Sequence, residues 1–306
     1  MTAPAALARR ALASLIAFPT YGAIALTEPP EGIEVWLHGP DTSINVTNNN
    51  SVVALRPFTI GIASRQEFAG QEWRLSMRDA STARELGVLQ LTPTQSIPLA
   101  AQRLHLFEMA GSTNLVVARA SLEAYYLRER YRAYWRQRRF KYNFLMTPGD
   151  IRASHVFYIC PRPVVLVSVE HEGTGNLFPM DLIGPTASSR FTMALRLTSP
   201  SVALMQQSRR MALSSVPFSC KQIAYDLGKH HSATEPIDWA GLPFALGRSR
   251  EFGLPVPAAA PRVREVYVEE CQRVGSHMLF LTSIVSDTVS SSSEKLLFHC
   301  FYKKPR

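Results

Sequence analysis

Cysteine is scarce in this chain, and the four present, Cys160, Cys220, Cys271 and Cys300, form no C-x-x-C pair. That spacing supports neither a zinc module nor a dense disulfide framework, and a reducing cytoplasm fits it. Long apolar runs are missing too. The best of them, Ala11 to Leu26, is interrupted by Pro19 and Gly22 and falls short of the ~18 residues a membrane span needs, so no membrane partner is expected. Arg9 and Arg10 precede that stretch, but Phe18-Pro-Thr-Tyr21 is no small-residue cleavage site, and the segment reads as ordinary structure. With no export signal, the glycosylation patterns at Asn45-Val-Thr and Asn49-Asn-Ser carry no weight. Also absent are a Gly-x-Ser-x-Gly motif, a Ser-His-Asp order and any histidine spacing that repeats a known metal geometry. Hydrolysis and a metal site are therefore left without a carrier.

What the chain does have is enough apolar content for a real core: 46% hydrophobic against 19% charged over 306 residues, a length suited to two domains. The net charge of +9 is concentrated. Arg128, Arg130, Arg132, Arg136, Arg138, Arg139 and Lys141 face one acid, Glu129, within a stretch that also holds Tyr125, Tyr126, Tyr131, Tyr134 and Trp135. Ser121 to Phe140 reads as a helix with Ser121 as its N-cap. Such a helix could touch phosphates, but charge runs are usually solvated faces, and it is read as a half-buried linking helix, with nucleic acid not expected as a partner. Turn chemistry at Met146-Thr-Pro-Gly-Asp150 marks a break after it.

Three regions follow: a β-rich domain at 1–120, the basic linking helix at 121–145, and a second β domain at 146–306. In the first, Ile33 to Leu37, Val52 to Leu55 and Phe58 to Ala63 are strand-like, Asp79 to Leu89 reads as a short helix, and no internal repeat is evident. In the second, Pro163 to Glu170 suits a strand covered on both faces. Phe191, Met193, Leu195 and Leu197 alternate with Arg190, Thr192, Ala194 and Arg196, as in a half-buried strand. Val263 to Cys271 and Met278 to Val285 are joined by a tight turn at 274–277, and the serine tract Ser290 to Ser293 leads to a last strand, Leu296 to Tyr302.

Chemistry concentrates around Leu197-Thr-Ser-Pro-Ser201. A strand ends there, Thr198 or Ser199 can cap a helix, and Pro200 suits its first position, where a missing N–H costs nothing. A helix start ringed by Thr198, Ser199 and Ser201 is either a plain cap or an anion site, since free N–H groups and the dipole both favour negative charge.

The order of features on either side resembles the flavin reductase-like, FMN-binding split-barrel family. It consists of an arginine-proline strand at Arg162, an Asn-x-x-Pro segment at Asn176 to Pro179, a hydroxyl-rich loop at Thr186 to Ser189, the helix start at Ser199 to Ser201, Leu254-Pro-Val-Pro257, and Gly275-Ser-His-Met-Leu-Phe280. The resemblance covers about 155–305. It implies a mainly β protein, a Greek-key split β-barrel, that binds FMN, with FAD as the alternative, and takes hydride from NAD(P)H as a homodimer. Asn176, Phe178, Pro179, Met180, Asp181 and Leu182 would edge the ring, and Thr186, Ser188, Ser189, Thr198, Ser199 and Ser201 would supply hydroxyls. The family's lysine at the helix start is missing, so Arg190 or Arg209 would have to supply the charge. His277 or His230 would stabilise charge developing on the reduced ring. Since the cofactor carries the hydride, no acid/base triad is needed. No candidate contact lies before residue 170, which assigns 1–120 to access or assembly. The alternative is a non-catalytic flavin-binding or nucleic-acid-contacting module.

Overall fold

The computed structural model describes residues 19–28, 30–68, 70, 72–139, 146–187, 189–229, 236–290 and 294–303. The chain is mainly β. Its first half begins with β1 (Pro19–Leu26), followed by β2 (Ile33–His38), β3 (Ser43–Asn45), β4 (Asn50–Leu55), β5 (Phe58–Ser64), β6 (Trp73–Asp79), β7 (Glu85–Pro98) and β8 (Arg103–Asn114). Strands β2 to β8 form one antiparallel sheet in the order β3-β2-β6-β7-β8-β5-β4. Val35 and Leu37 near one edge and Val52 at the other meet Ile60, Leu75 and Phe107 in a single core, so the sheet curls on itself. Residues 85–89 belong to β7, which corrects the short helix expected at Asp79 to Leu89. Asp79 accepts hydrogen bonds from the backbone of Ser81 and Thr82 and closes the β6–β7 turn.

Two helices bridge the halves, α1 (Arg119–Arg139) and α2 (Pro148–Phe157). α1 begins two residues before Ser121, so that serine lies inside the helix rather than at its cap. Leu122, Tyr125 and Tyr126 are buried, while Tyr131, Tyr134 and Trp135 further along are exposed. What reads as a turn at 146–150 is the start of α2. Thr147 Oγ1 accepts from the Asp150 amide, and Asp150 Oδ2 accepts from the Thr147 amide at 2.9 Å, a reciprocal cap with Pro148 in the first turn. The other carboxylate oxygen of Asp150 accepts from the buried Phe58 amide at 2.8 Å and fastens the helix to β5.

The second half contains β9 (Arg162–Pro163), β10 (Val165–His171), β11 (Thr174–Met180), β12 (Ile183–Ala187), β13 (Arg190–Arg196), α3 (Ser201–Ser208), β14 (Arg210–Ser215), α4 (Lys221–Lys229), β15 (Leu246–Arg248), β16 (Pro255–Pro257), β17 (Arg262–Val274), β18 (His277–Val289) and β19 (Leu296–Lys303). Seven of these strands form a sheet ordered β11-β10-β14-β17-β18-β13-β12. Phe178 and Met180 on one edge strand and Ile183 on the other share a core with Val266 and Phe280, so this sheet also closes into an open barrel. Its connectivity matches that of the first sheet strand for strand, a repeat invisible in the residues themselves. The supposedly solvent-facing side of β13 is covered: Thr192 and Ala194 are buried because the first half packs there. β1 stands apart from its neighbours in sequence and pairs with β19, from Pro19 with Lys303 to Leu26 with Leu296.

Candidate functional site

The end of β11, the link to β12, the end of β13 and the start of α3 converge on one corner of the second barrel. Asn176 Nδ2 donates to Ser201 Oγ at 2.7 Å, which fastens β11 to the first residue of α3. The N-cap position is Pro200, which makes no side-chain cap, rather than Thr198 or Ser199 as expected. Thr198 is exposed, whereas Ser199 and Ser201 are buried. The N-terminus of α3 thus starts at a proline, with the exposed Thr198 hydroxyl close by. A helix end of this kind favours an anion.

The cation at this corner is Arg196, the last residue of β13, which periodicity alone assigned to the solvent face. It is half-buried and close enough to interact electrostatically with Asp181 and His277; burial lowers its basicity and the Asp181 charge opposes that. Arg190 and Arg209 do not reach the corner. Arg190 starts β13, about 20 Å up the strand from Arg196 at ~3.3 Å per residue, and it is paired with Glu269 at 2.7 Å. Arg209 ends α3 in a left-handed conformation (φ 56°), roughly 12 Å from Ser201 at ~1.5 Å per residue. The same geometry separates the hydroxyl-rich loop from the helix start. Thr186 and Ser189 lie at the far end of β13, so one phosphate cannot touch both sets. Thr186 is buried, and its carbonyl accepts from Gln102 Nε2 of the first half. Ser188 and His230 lie outside the described residues.

Phe178 and Met180 point into the barrel core and Leu182 packs on the core of the first half, leaving only their backbone for a ligand. Pro179 is half-buried on β11. Asp181 holds the centre of a polar cluster. Its Oδ2 lies 2.7 Å from His299 Nδ1 and accepts from the Tyr21 hydroxyl at 3.1 Å, and the Tyr158 hydroxyl also bonds to it. Tyr225 on α4 lies 3.2 Å from His299 Nε2 and is partly exposed. Burial raises the Asp181 pKa, but His299 and the two hydroxyls outweigh it and hold the carboxyl below its ordinary range. Tyr158 is pushed well above the usual phenol range, first by burial and then by the Asp181 charge. None of Arg196, His299, Tyr21, Tyr158 and Tyr225 was singled out by the sequence pattern. The one available signal was a lone imidazole inside the apolar strand Leu296-Leu-Phe-His-Cys-Phe301.

His277 is fully buried, and burial together with Arg196 drives its pKa down to about 3. Its Nδ1 accepts from the Leu55 amide at 3.5 Å and lies 2.9 Å from Ser276 Oγ. Fully buried at the start of β18, this imidazole braces the hairpin from beneath rather than facing the corner's surface. The described cavity, about 400 Å³, lies elsewhere, between Thr47 to Asn49 of the first half and Arg162, Ile183 to Pro185, Arg262 and Arg264 of the second.

The fold and corner so described are those of a mainly β barrel protein with one anion-receptive helix end. Residues 157–303, just under half of the chain, match the flavin reductase like domain. Among solved structures, an FMN-binding protein from Thermus thermophilus with bound 1-cyclohex-2-enone is 24% identical, covering 42% of this chain and 71% of its own, at a TM-score of 0.38. The NADH:FAD oxidoreductase SgcE6 of Streptomyces globisporus C-1027 is 17% identical, covering 54% and 99%, at 0.43. A flavoredoxin from Methanosarcina acetivorans is 13% identical over 49% and 88%, at 0.42. No curated protein matches the chain. No helix among the described residues is long and apolar enough to cross a membrane.

Proposed function

We propose that this chain binds FMN, with FAD as the alternative, at the corner between β11 and α3, and that it works as an NAD(P)H-dependent flavin reductase. The observation that carries the reading is the Asn176 to Ser201 hydrogen bond, which holds the start of α3 close to Thr198 and the end of β13 at Arg196. The residues present fit a phosphate-bearing group: backbone N–H donors, one hydroxyl and one cation meet without a competing carboxylate on the helix end. A bound flavin would supply the hydride acceptor, chemistry that no side chain can perform.

The chain's own residues do the rest. The backbone of 178–182 presents polar edges while Phe178, Met180 and Leu182 anchor it, so the link stays rigid where a ring would lie. Tyr225, His299 and Asp181 form a hydrogen-bonded line from an exposed hydroxyl to an inner carboxylate, a route along which a proton can be held or moved. The test is an absorbance spectrum of the purified protein with and without added FMN, followed by NADH and NADPH oxidation assays. A Thr198→Ala variant should weaken FMN binding ~10 to 150-fold, the equivalent of about 1.5 to 3 kcal/mol. Wild-type protein that leaves the FMN spectrum unchanged at saturating concentration would overturn the reading.

A further inference from the structure

The two seven-stranded sheets have one connectivity. β3-β2-β6-β7-β8-β5-β4 becomes β11-β10-β14-β17-β18-β13-β12 when each strand is replaced by its counterpart. Register aligns them residue by residue. In the first sheet Ala63 pairs with Leu104 and Gly61 with Leu106; in the second Ala194 pairs with Leu279 and Thr192 with Leu281. Leu104 and Leu106 therefore correspond to Leu279 and Leu281, and the four meet in one cluster across the seam between the halves. Ser51 pairs with Gly61, and Gly184 pairs with Thr192, which makes Ser51 and Gly184 counterparts as well. These two touch: a Cβ built on Gly184 would lie 2.5 Å from that of Ser51.

Contact between equivalent residues is the mark of a two-fold axis, the arrangement of a symmetric dimer. Away from the axis, each half also reaches the end of the other's β4–β5 or β12–β13 hairpin, though not through equivalent residues. Ser276, the residue before β18, donates its amide to the Arg56 carbonyl of the first half's β4–β5 turn at 2.8 Å. Gln102, the residue before β8, donates to the Thr186 carbonyl beside the second half's β12–β13 turn.

The halves are not equal in equipment. After β13 comes α3, whereas the described residues between β5 and β6 carry no helix; β14 and β17 are separated by 216–261 with α4, whereas β6 and β7 are joined by a short turn at 80–84. The helix start, its Asn176 tether and Tyr225 therefore exist once. From before residue 115, Tyr21 reaches Asp181 and Leu55 reaches His277 at this corner.

We propose that the chain is a dimer fused into one polypeptide. Its first half is a stripped copy of the barrel that takes the place of a partner subunit, and the working unit is one chain with one flavin site. The stoichiometry rests on the flavin reading above; the assembly state does not. Light scattering of the full chain at micromolar concentration is expected to give 34 kDa, and an FMN titration of the same sample one flavin per chain. A particle of twice that mass would overturn the proposal, because the dimer face would then still be in use. Two flavins per chain would overturn the loss of the first half's site, as would one flavin shared by two chains. Should no FMN bind, the functional reading falls, while the measured mass still decides whether the first half replaces a partner.

Discussion

Replacing Asp181 by alanine removes the acceptor at the centre of the polar cluster. The His299 ring nitrogen, the Tyr21 hydroxyl and the buried Tyr158 hydroxyl all lose this acceptor at once, while Tyr21 keeps His299 and Tyr158. A hydrogen bond to a charged acceptor contributes ~1.5 to 3 kcal/mol. Against this, the variant no longer has to hold a carboxylate in a largely buried setting, which refunds several kcal/mol. The net destabilisation at pH 7 should be about 2 to 3 kcal/mol, or roughly 4 to 6 °C in Tm for a chain of this size. The sign of the pH dependence follows from the direction of the shift. The folded-state pKa of Asp181 lies below its unfolded value, so its contribution is complete above the ordinary carboxylate range and disappears as pH falls through the folded pKa. Thermal melts of both proteins from pH 7 to pH 3 should therefore converge toward the acid end. Equal Tm values at pH 7, or a gap that stays constant into acid, would refute the assignment of Asp181 as an ionised hub.

Three further outcomes follow from the same geometry. Gly184→Ala should cost about 1 to 3 kcal/mol by overpacking, since its Cβ would meet Ser51 and the Asn50 carbonyl oxygen at 2.6 Å; adding Ser51→Gly should recover only part of it in urea melts, and full tolerance of the single change would mean the seam is looser than described. Arg196→Ala should weaken FMN binding ~10 to 150-fold by fluorescence titration, with Arg190→Ala and Arg209→Ala near wild type; the reverse ranking would move the phosphate to the other end of β13. Burial holds His155 at about 4 and His277 at about 3, so protons bind the unfolded chain first and stability should fall as pH drops from ~6.5 toward 4, by up to ~1.4 kcal/mol per pH unit for each. His277→Gln should flatten that slope, and an unchanged slope would show that His277 is not held neutral.

The strands were the most readable part of the chain. Ile33 to Leu37, Phe58 to Ala63, Val263 to Cys271 and Leu296 to Tyr302 all lie within strands, because β-branched and aromatic runs bounded by turn residues report a pleated, buried surface directly. The stretch 85–89 misled because Leu86, Val88 and Leu89 fit a helix face as well as one strand face when the partner strands are unknown. Thr147-Pro-Gly-Asp150 misled in the opposite direction: proline and glycine signal a turn, but threonine followed three residues later by a carboxylate is also a helix start. At the site, Asn176 and Ser201 were legible and are joined. Arg190 and Arg209 lie away from the Asn176 corner for a physical reason. Alternation says which face of β13 an arginine occupies, not that one end of the strand meets α3 and the other Glu269. The Asp181 cluster is drawn from β1, the residue after α2, α4 and β19, so its members are neighbours only after the whole chain has folded.

Strand β1 has consequences for the order of events on the ribosome. Among the described residues its ladder partner is β19, and the innermost pair, Leu26 with Leu296, closes a loop of roughly 270 residues. At about 5 to 20 residues per second of synthesis, this early segment waits on the order of 15 to 55 s before its mate exists. During that interval Tyr21 has neither Asp181 nor His299 to bond to, and the strand's own amides are unpaired. Closure therefore waits until β19 has been made, and the Asp181 cluster gains its Tyr21 hydroxyl only then.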